Sequence, residues 1–159
     1  MISVSKEIAG EDVDGNFFAA MPRKQRTIRR NGLRRIGEIW WRRILPRHFT
    51  PAGAHAYGYA RRGRTYMLRK AKKYHHQNPL EWTGASKRSA LREQRITATF
   101  KDATVRVRVE RYWNYQPSMR KELTAVTAEE AEALARHFEK RVGRDLMARS
   151  GRRRVKKVA

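Results

Sequence analysis

Ile28, Leu33, Ile36, Trp40 and Ile44 recur at intervals of five, three, four and four residues, close to one apolar stripe along a helix. Pro22 suits the first turn of that helix, and Leu45-Pro46 ends it. Gly32 and Gly37 fall inside it, where each glycine costs about 1 kcal/mol relative to alanine. The period then changes. Ile96, Ala98 and Phe100 alternate with Arg95, Thr97 and Thr99, and Val105, Val107 and Val109 alternate with Thr104, Arg106 and Arg108. Two such runs about Lys101-Asp102-Ala103 predict a β-hairpin with one apolar face, and with Arg95, Arg106 and Arg108 on the solvent side. A last helix opens at Thr127-Ala128-Glu129-Glu130, where Thr at the N-cap and Glu at N3 make a capping box. Ala131, Leu134, Ala135, Phe138, Val142 and Leu146 carry it to about Ala148, with acids early and bases late as the helix dipole favours.

Shorter elements fill the middle. Thr50-Pro51 is an N-cap and first-turn pair for a helix through about Tyr57, and a further helix covers Thr65 to Tyr74, with cations at its end. Helical chain gives way to sheet at Gln77-Asn78-Pro79-Leu80-Glu81-Trp82-Thr83-Gly84-Ala85, a corner built on an X-Pro step and a Thr-Gly break. Thr83 can cap a short helix through Ala85, Ala90 and Leu91, with Leu80 and Trp82 packed inward. Dense aromatics at 112–115 run toward a turn at Pro117. The expected architecture is α+β: N-terminal basic helices, a central antiparallel hairpin or small sheet, and a C-terminal amphipathic helix. A lone hairpin is marginal, so further strands must come from 110–126 or from neighbouring subunits.

Charge divides the chain. Glu7, Glu11, Asp12 and Asp14, with Gly10 and Gly15, mark residues 1–20 as an acidic arm of weak secondary structure that Phe17 and Phe18 can anchor on a neighbour. Residues 21–148 form a single domain, and 149–159, with six Lys or Arg and no acid, a solvated basic tail. Between Met21 and His76 there are 17 Lys or Arg against one acid, Glu38. The formal charge of +23 over 159 residues stresses a compact fold and attracts polyanions, acidic protein surfaces or anionic membranes. Three groups are the candidate contacts: Arg29, Arg30, Arg34, Arg35, Arg42 and Arg43 on the first helix; Arg61, Arg62 and Arg64 in a loop; Arg152, Arg153 and Arg154 in the tail. Trp40, Trp41, Tyr57, Tyr59, Tyr66 and Tyr74 interleave with them, as stacking planes or as core. No standard nucleic-acid module is legible, so any such contact is charge-led and not sequence-specific.

Catalytic chemistry has no purchase here. The chain has no cysteine, its four Asp residues are scattered, and His75 and His76 point about 100° apart on a helix. Ser86 and Ser89 lie beside Lys87 and Arg88 without a base fixed near them, and no phosphate-cradling loop or hydrolase motif occurs. We therefore expect no enzyme, no metal, no cofactor and no small-molecule substrate. The N-terminus lacks a signal-peptide layout, and no run of about 18 apolar residues exists to span a membrane. An intracellular product without membrane contact is expected.

One short motif carries a family resemblance. Leu80-Glu81-Trp82-Thr83-Gly84-Ala85-Ser86-Lys87-Arg88-Ser89 fits a Leu-x-x-Thr-Gly-x-x-x-x-Ser corner, preceded by a basic helix and followed by a hairpin and a final helix. From about Tyr66 onward this order resembles the tail-completion, or virion-morphogenesis, proteins of tailed bacteriophages. The resemblance implies a non-enzymatic virion component at the head–tail junction, assembled in the host cytoplasm. Its implied partners are itself in a ring around the DNA channel, portal, adaptor or tail subunits, and DNA without sequence specificity. The alternative is a ribosomal-type RNA- or DNA-binding protein that uses its basic helices and tails.

Overall fold

The computed structural model describes residues 2–9, 21–92, 94–111, 113 and 117–155. The fold is α+β: β1 (Ile2–Ala9), α1 (Arg23–Ile39), α2 (Pro51–Ala56), α3 (Arg64–Tyr74), α4 (Ala85–Arg92), β2 (Gln94–Ala98), β3 (Asp102–Val109), α5 (Pro117–Thr124) and α6 (Ala128–Val155). The expected hairpin is present as β2–β3, with Ile96 opposite Val105 and Arg95 opposite Arg106. Thr99 shapes its turn, its hydroxyl accepting from the Lys101 and Asp102 amides at 3.0 and 3.1 Å. Ala103, Val105, Val107 and Val109 are buried, whereas Arg95, Arg106 and Arg108 are exposed. The sheet thus has one dry face and one wet one.

The third strand comes from an unexpected place. Residues 2–9, expected to be part of a weakly structured arm, pair antiparallel with β3 from Ile2 opposite Val109 to Ala9 opposite Asp102, giving the order β1-β3-β2. Ile2, Val4 and Ile8 do fall at strand spacing, but the partner lies about a hundred residues away, beyond the reach of local pattern. The segment 110–126 supplies no strand among its described residues. Pro117 instead opens a helix, in which Met119, Glu122 and Leu123 are buried at i, i+3 and i+4. Residues 10–20, including Phe17 and Phe18, lie outside the described residues.

α1 lies across the dry face, and its two glycines mark the closest approaches. A Cβ on Gly37 would stand 3.0 Å from a Val105 methyl, and one on Gly32 3.0 Å from both Phe138 and Val142 of α6. The helical cost of each glycine is thus offset by contact with sheet or helix. The helix does not run unbroken to Ile44. From Trp40 it widens into a π turn, with the Leu45 amide bonding to the Trp40 carbonyl, and then tightens into a 3-10 turn over Leu45–Phe49. Pro46 has no amide to continue an α ladder, which forces this change. The widening carries Trp40 into the core and lets Trp41 Nε1 donate to the Ala90 carbonyl at 3.0 Å. At the other end of the chain, α6 continues to Val155 without a backbone break at 148.

The corner clasps the end of β3. Gly84 sits at φ +79°, open to glycine at little cost, while Leu80 holds φ +52° with its side chain buried. Ser86, fully buried, accepts from the Glu110 amide at 3.0 Å and from Trp113 Nε1 at 3.1 Å, and donates to the Glu110 carboxylate at 3.1 Å. Thr83 donates to the same carboxylate at 3.3 Å and accepts from the Ala85 amide at 3.3 Å, but the cap position falls one residue later than expected, on Gly84, whose carbonyl accepts the first helical bond from the Arg88 amide. Ser86→Ala strips an acceptor from two donors, one of them buried. We expect it to lower stability by about 1–3 kcal/mol, or roughly 2–9 °C in melting temperature, with a smaller loss for exposed Thr83→Ala. Thermal melts of both variants that rank Thr83→Ala as the more damaging would contradict this assignment.

Candidate polyanion-binding cleft

Tyr66, Lys70 and Tyr74 stand at i, i+4 and i+8, one face of α3, and that face meets the corner. Trp82 stacks on Tyr66 at 5.3 Å and meets Tyr74 edge-on at 5.1 Å. Lys70 is 2% exposed, donates to the Asn78 carbonyl and lies 5.8 Å from the Tyr66 ring centre. Its burial holds its pKa below the usual lysine value. His75 ends the helix in the left-handed conformation at φ +56°, its amide bonding to Ala71.

Together α2, residues 59–62, α3 and the corner enclose a cleft of about 920 Å³, with Met119 of α5 reaching into it. Tyr59, Tyr66 and Trp82 give it aromatic walls, and Arg61, Arg62, Arg64 and Lys70 make it cationic. Arg62 is held by an ion pair to Glu122, whose other oxygen accepts from the Ala60 amide at 3.2 Å, so this carboxylate shapes the loop. Arg61 and Arg64 are exposed and form no ion pair among the described residues. Two uncompensated guanidiniums beside aromatic planes suit an anion that also carries apolar or planar groups.

Behind Tyr59 stands a polar cluster that holds the wall in place. His48, 0% exposed, is hydrogen-bonded through Nδ1 to the Tyr59 hydroxyl at 2.5 Å and stacks on Tyr57 at 3.9 Å, nearly parallel. Tyr57 donates to Glu130 at 2.8 Å, and Arg47 pairs with the same oxygen at 2.6 Å. The other Glu130 oxygen accepts from the Thr127 amide, while Thr127 accepts from the Glu130 amide, both at 3.2 Å. This is the expected capping box, and its glutamate also ties α6 to the turn after α1. Burial first, then the neighbouring glutamates, raises both tyrosine pKa values above the ordinary range. Burial lowers that of His48 to about 4, against the opposing pull of Glu130.

The candidate arginines do not form one site. Arg29 is half-buried, donating to the Phe100 carbonyl at 2.8 Å and lying over Phe138, while Arg35 pairs with Glu38. Arg30 and Arg34 are exposed on the outer face of α1, and Arg42 and Arg43 on the π turn, Arg42 lying 5.9 Å from the Trp41 ring centre. Arg61, Arg62 and Arg64 belong to the cleft. Arg152, Arg153 and Arg154 lie in the last turns of α6. Of the corner residues, Leu80 and Trp82 line the cleft, and Thr83 and Gly84 shape its support.

Sequence reasoning misses Lys70, Glu122 and His48, and reads Glu130 only as a capping residue. For Lys70 a signal existed in its i, i+4 spacing from Tyr66 and to Tyr74. Glu122 had none, since its role depends on a loop some sixty residues earlier. Among the described residues, no helix is long and apolar enough to cross a membrane, and no three His, Asp or Glu gather as a metal site.

A pH dependence follows from His48. Its Nε2 has no hydrogen-bond partner among the described residues, so an added proton would be buried without an acceptor. The unfolded imidazole takes up its proton near 6.5 and the folded one only near about 4, so stability should fall as pH drops through that interval. The expected loss is roughly 3 kcal/mol by the lower limit. Urea unfolding from pH 7 to 4 should show this component in the native chain and not in His48→Phe; parallel curves would refute it. No protein-family model, curated protein or solved structure matches this chain.

Proposed function

We propose that this chain is a structural subunit of a tailed-phage neck or tail-completion assembly, working without catalysis by docking to itself in a ring and to portal, adaptor or tail subunits. The observation that carries this reading is the corner. Every defining position of the Leu80–Ser89 motif helps to hold the fold together. Leu80 and Ser89 are buried, Thr83 bonds the Glu110 carboxylate, Gly84 caps the helix at positive φ, and Ser86 within the motif clamps β3. A motif whose residues join helix to sheet suits a scaffold subunit. β1 and β2 are edge strands among the described residues, and open edges suit strand pairing between copies.

Nuclease-treated protein at moderate salt should sediment as a closed oligomer and give ring-shaped particles by electron microscopy. A monomer at every accessible concentration sinks the ring. A second reading, general RNA or DNA binding, is favoured by the exposed arginines of α1 and the π turn. Arg30, Arg34 and Arg43 form no ion pair among the described residues. Under it, log affinity falls linearly with log salt, and Arg30→Gln with Arg34→Gln reduces that slope by about two. A salt-independent affinity removes this second reading.

A further inference from the structure

The anchors of the acidic segment and the corner that walls the cationic cleft lie at opposite ends of β3. Segment 10–20 leaves β1 at Ala9, opposite Asp102, and rejoins the fold at Met21, whose carbonyl accepts from Arg26, itself over Phe100. Both attachments are therefore at the hairpin turn. The corner that walls the cleft is bonded to Glu110, just past the far end of β3. The eight residues of β3 separate the two ends by about 25 Å. Phe17 is four residues from Met21 and Asp14 five from Ala9, so they reach no more than about 14 and 18 Å from these anchors. Main-chain reach from these anchors falls short of the corner end of β3, which favours the cleft of another copy over the chain's own.

The chemistry nevertheless matches. Segment 10–20 carries Glu11, Asp12 and Asp14, no Lys or Arg, and the pair Phe17-Phe18. The cleft offers Arg61 and Arg64 without carboxylate partners among the described residues, beside the Tyr66 and Trp82 rings. Its volume of about 920 Å³ admits a short peptide. We propose that segment 10–20 of one copy seats in the cleft of the next, its carboxylates on Arg61 and Arg64 and its phenylalanines against the aromatic wall. The contact joins the hairpin end of one copy to the corner end of another, a head-to-tail interface that closes as a ring or continues as a filament. This rests on the self-assembly reading above and names the surface that would carry it.

The chain has no cysteine, so a disulfide can report the contact. Full-length Asp14→Cys/Arg64→Cys protein, mildly oxidised, should form disulfide-linked dimers and higher species on non-reducing gels. The yield should exceed by about tenfold that of Asp14→Cys/Arg106→Cys, in which the second thiol sits on the open face of the sheet. Only intrachain linkage, or equal yields in the two variants, overturns the proposal. So does a cleft that retains a single-stranded oligonucleotide while the linkage is absent, which makes nucleic acid the occupant. Sedimentation of the native chain separates the two levels. A ring without the linkage leaves self-assembly standing and removes this contact, whereas the linkage in open oligomers or filaments keeps this contact and removes the closed ring.

Discussion

The buried hydroxyl of Ser86 is the point on which the cleft end of this molecule depends. It satisfies the Glu110 amide and the Trp113 indole and ties both to the corner, so the end of β3, the start of α4 and a buried tryptophan share one atom. The corner is then fixed in place, and α3 is docked on it by Trp82 and by the Lys70 bond to Asn78. Because Lys70 is buried, releasing α3 would either leave an ammonium without its acceptor or expose an aromatic face. That couples the outer wall of the cleft to the core.

A second constraint is the scarcity of acid. There are 15 acidic residues against 38 Lys and Arg, and several acids are engaged inside the fold. Glu122 holds Arg62 and the loop, Glu130 holds Arg47, Tyr57 and the cap of α6, and Glu110 serves the corner. Each of these commits its charge to architecture. The exterior is cationic because Lys and Arg outnumber the acids more than twofold, and the burial of Glu122 and Glu130 sharpens that imbalance at the surface. Other acids stay outside, among them Glu129, Glu132 and Glu139 of α6, and segment 10–20 adds Glu11, Asp12 and Asp14 on a stretch anchored at the hairpin-turn end of the sheet.

Local pattern was legible where the interactions are local. The hairpin, the Thr50 and Thr127 caps, the helix over 65–74 and the break at Gly84 all follow from periodicity or from one residue's backbone preference. The two α1 glycines read as defects in sequence and are contacts in space, because what makes them favourable is Val105, Phe138 and Val142, far along the chain. Pro46 marked the end of a helix but not the π turn before it, which depends on where Trp40 finds room.

By itself, then, the sequence determined the class of the fold, its caps and turns, and the excess of positive charge, since propensity, alternation and composition act over a few residues. Tertiary structure decided which arginines face outward, that residues 2–9 complete the sheet, and that a lysine, a histidine and two glutamates are buried to build the cleft. Those outcomes rest on contacts between segments sixty to a hundred residues apart, whose closure only the assembled core makes favourable.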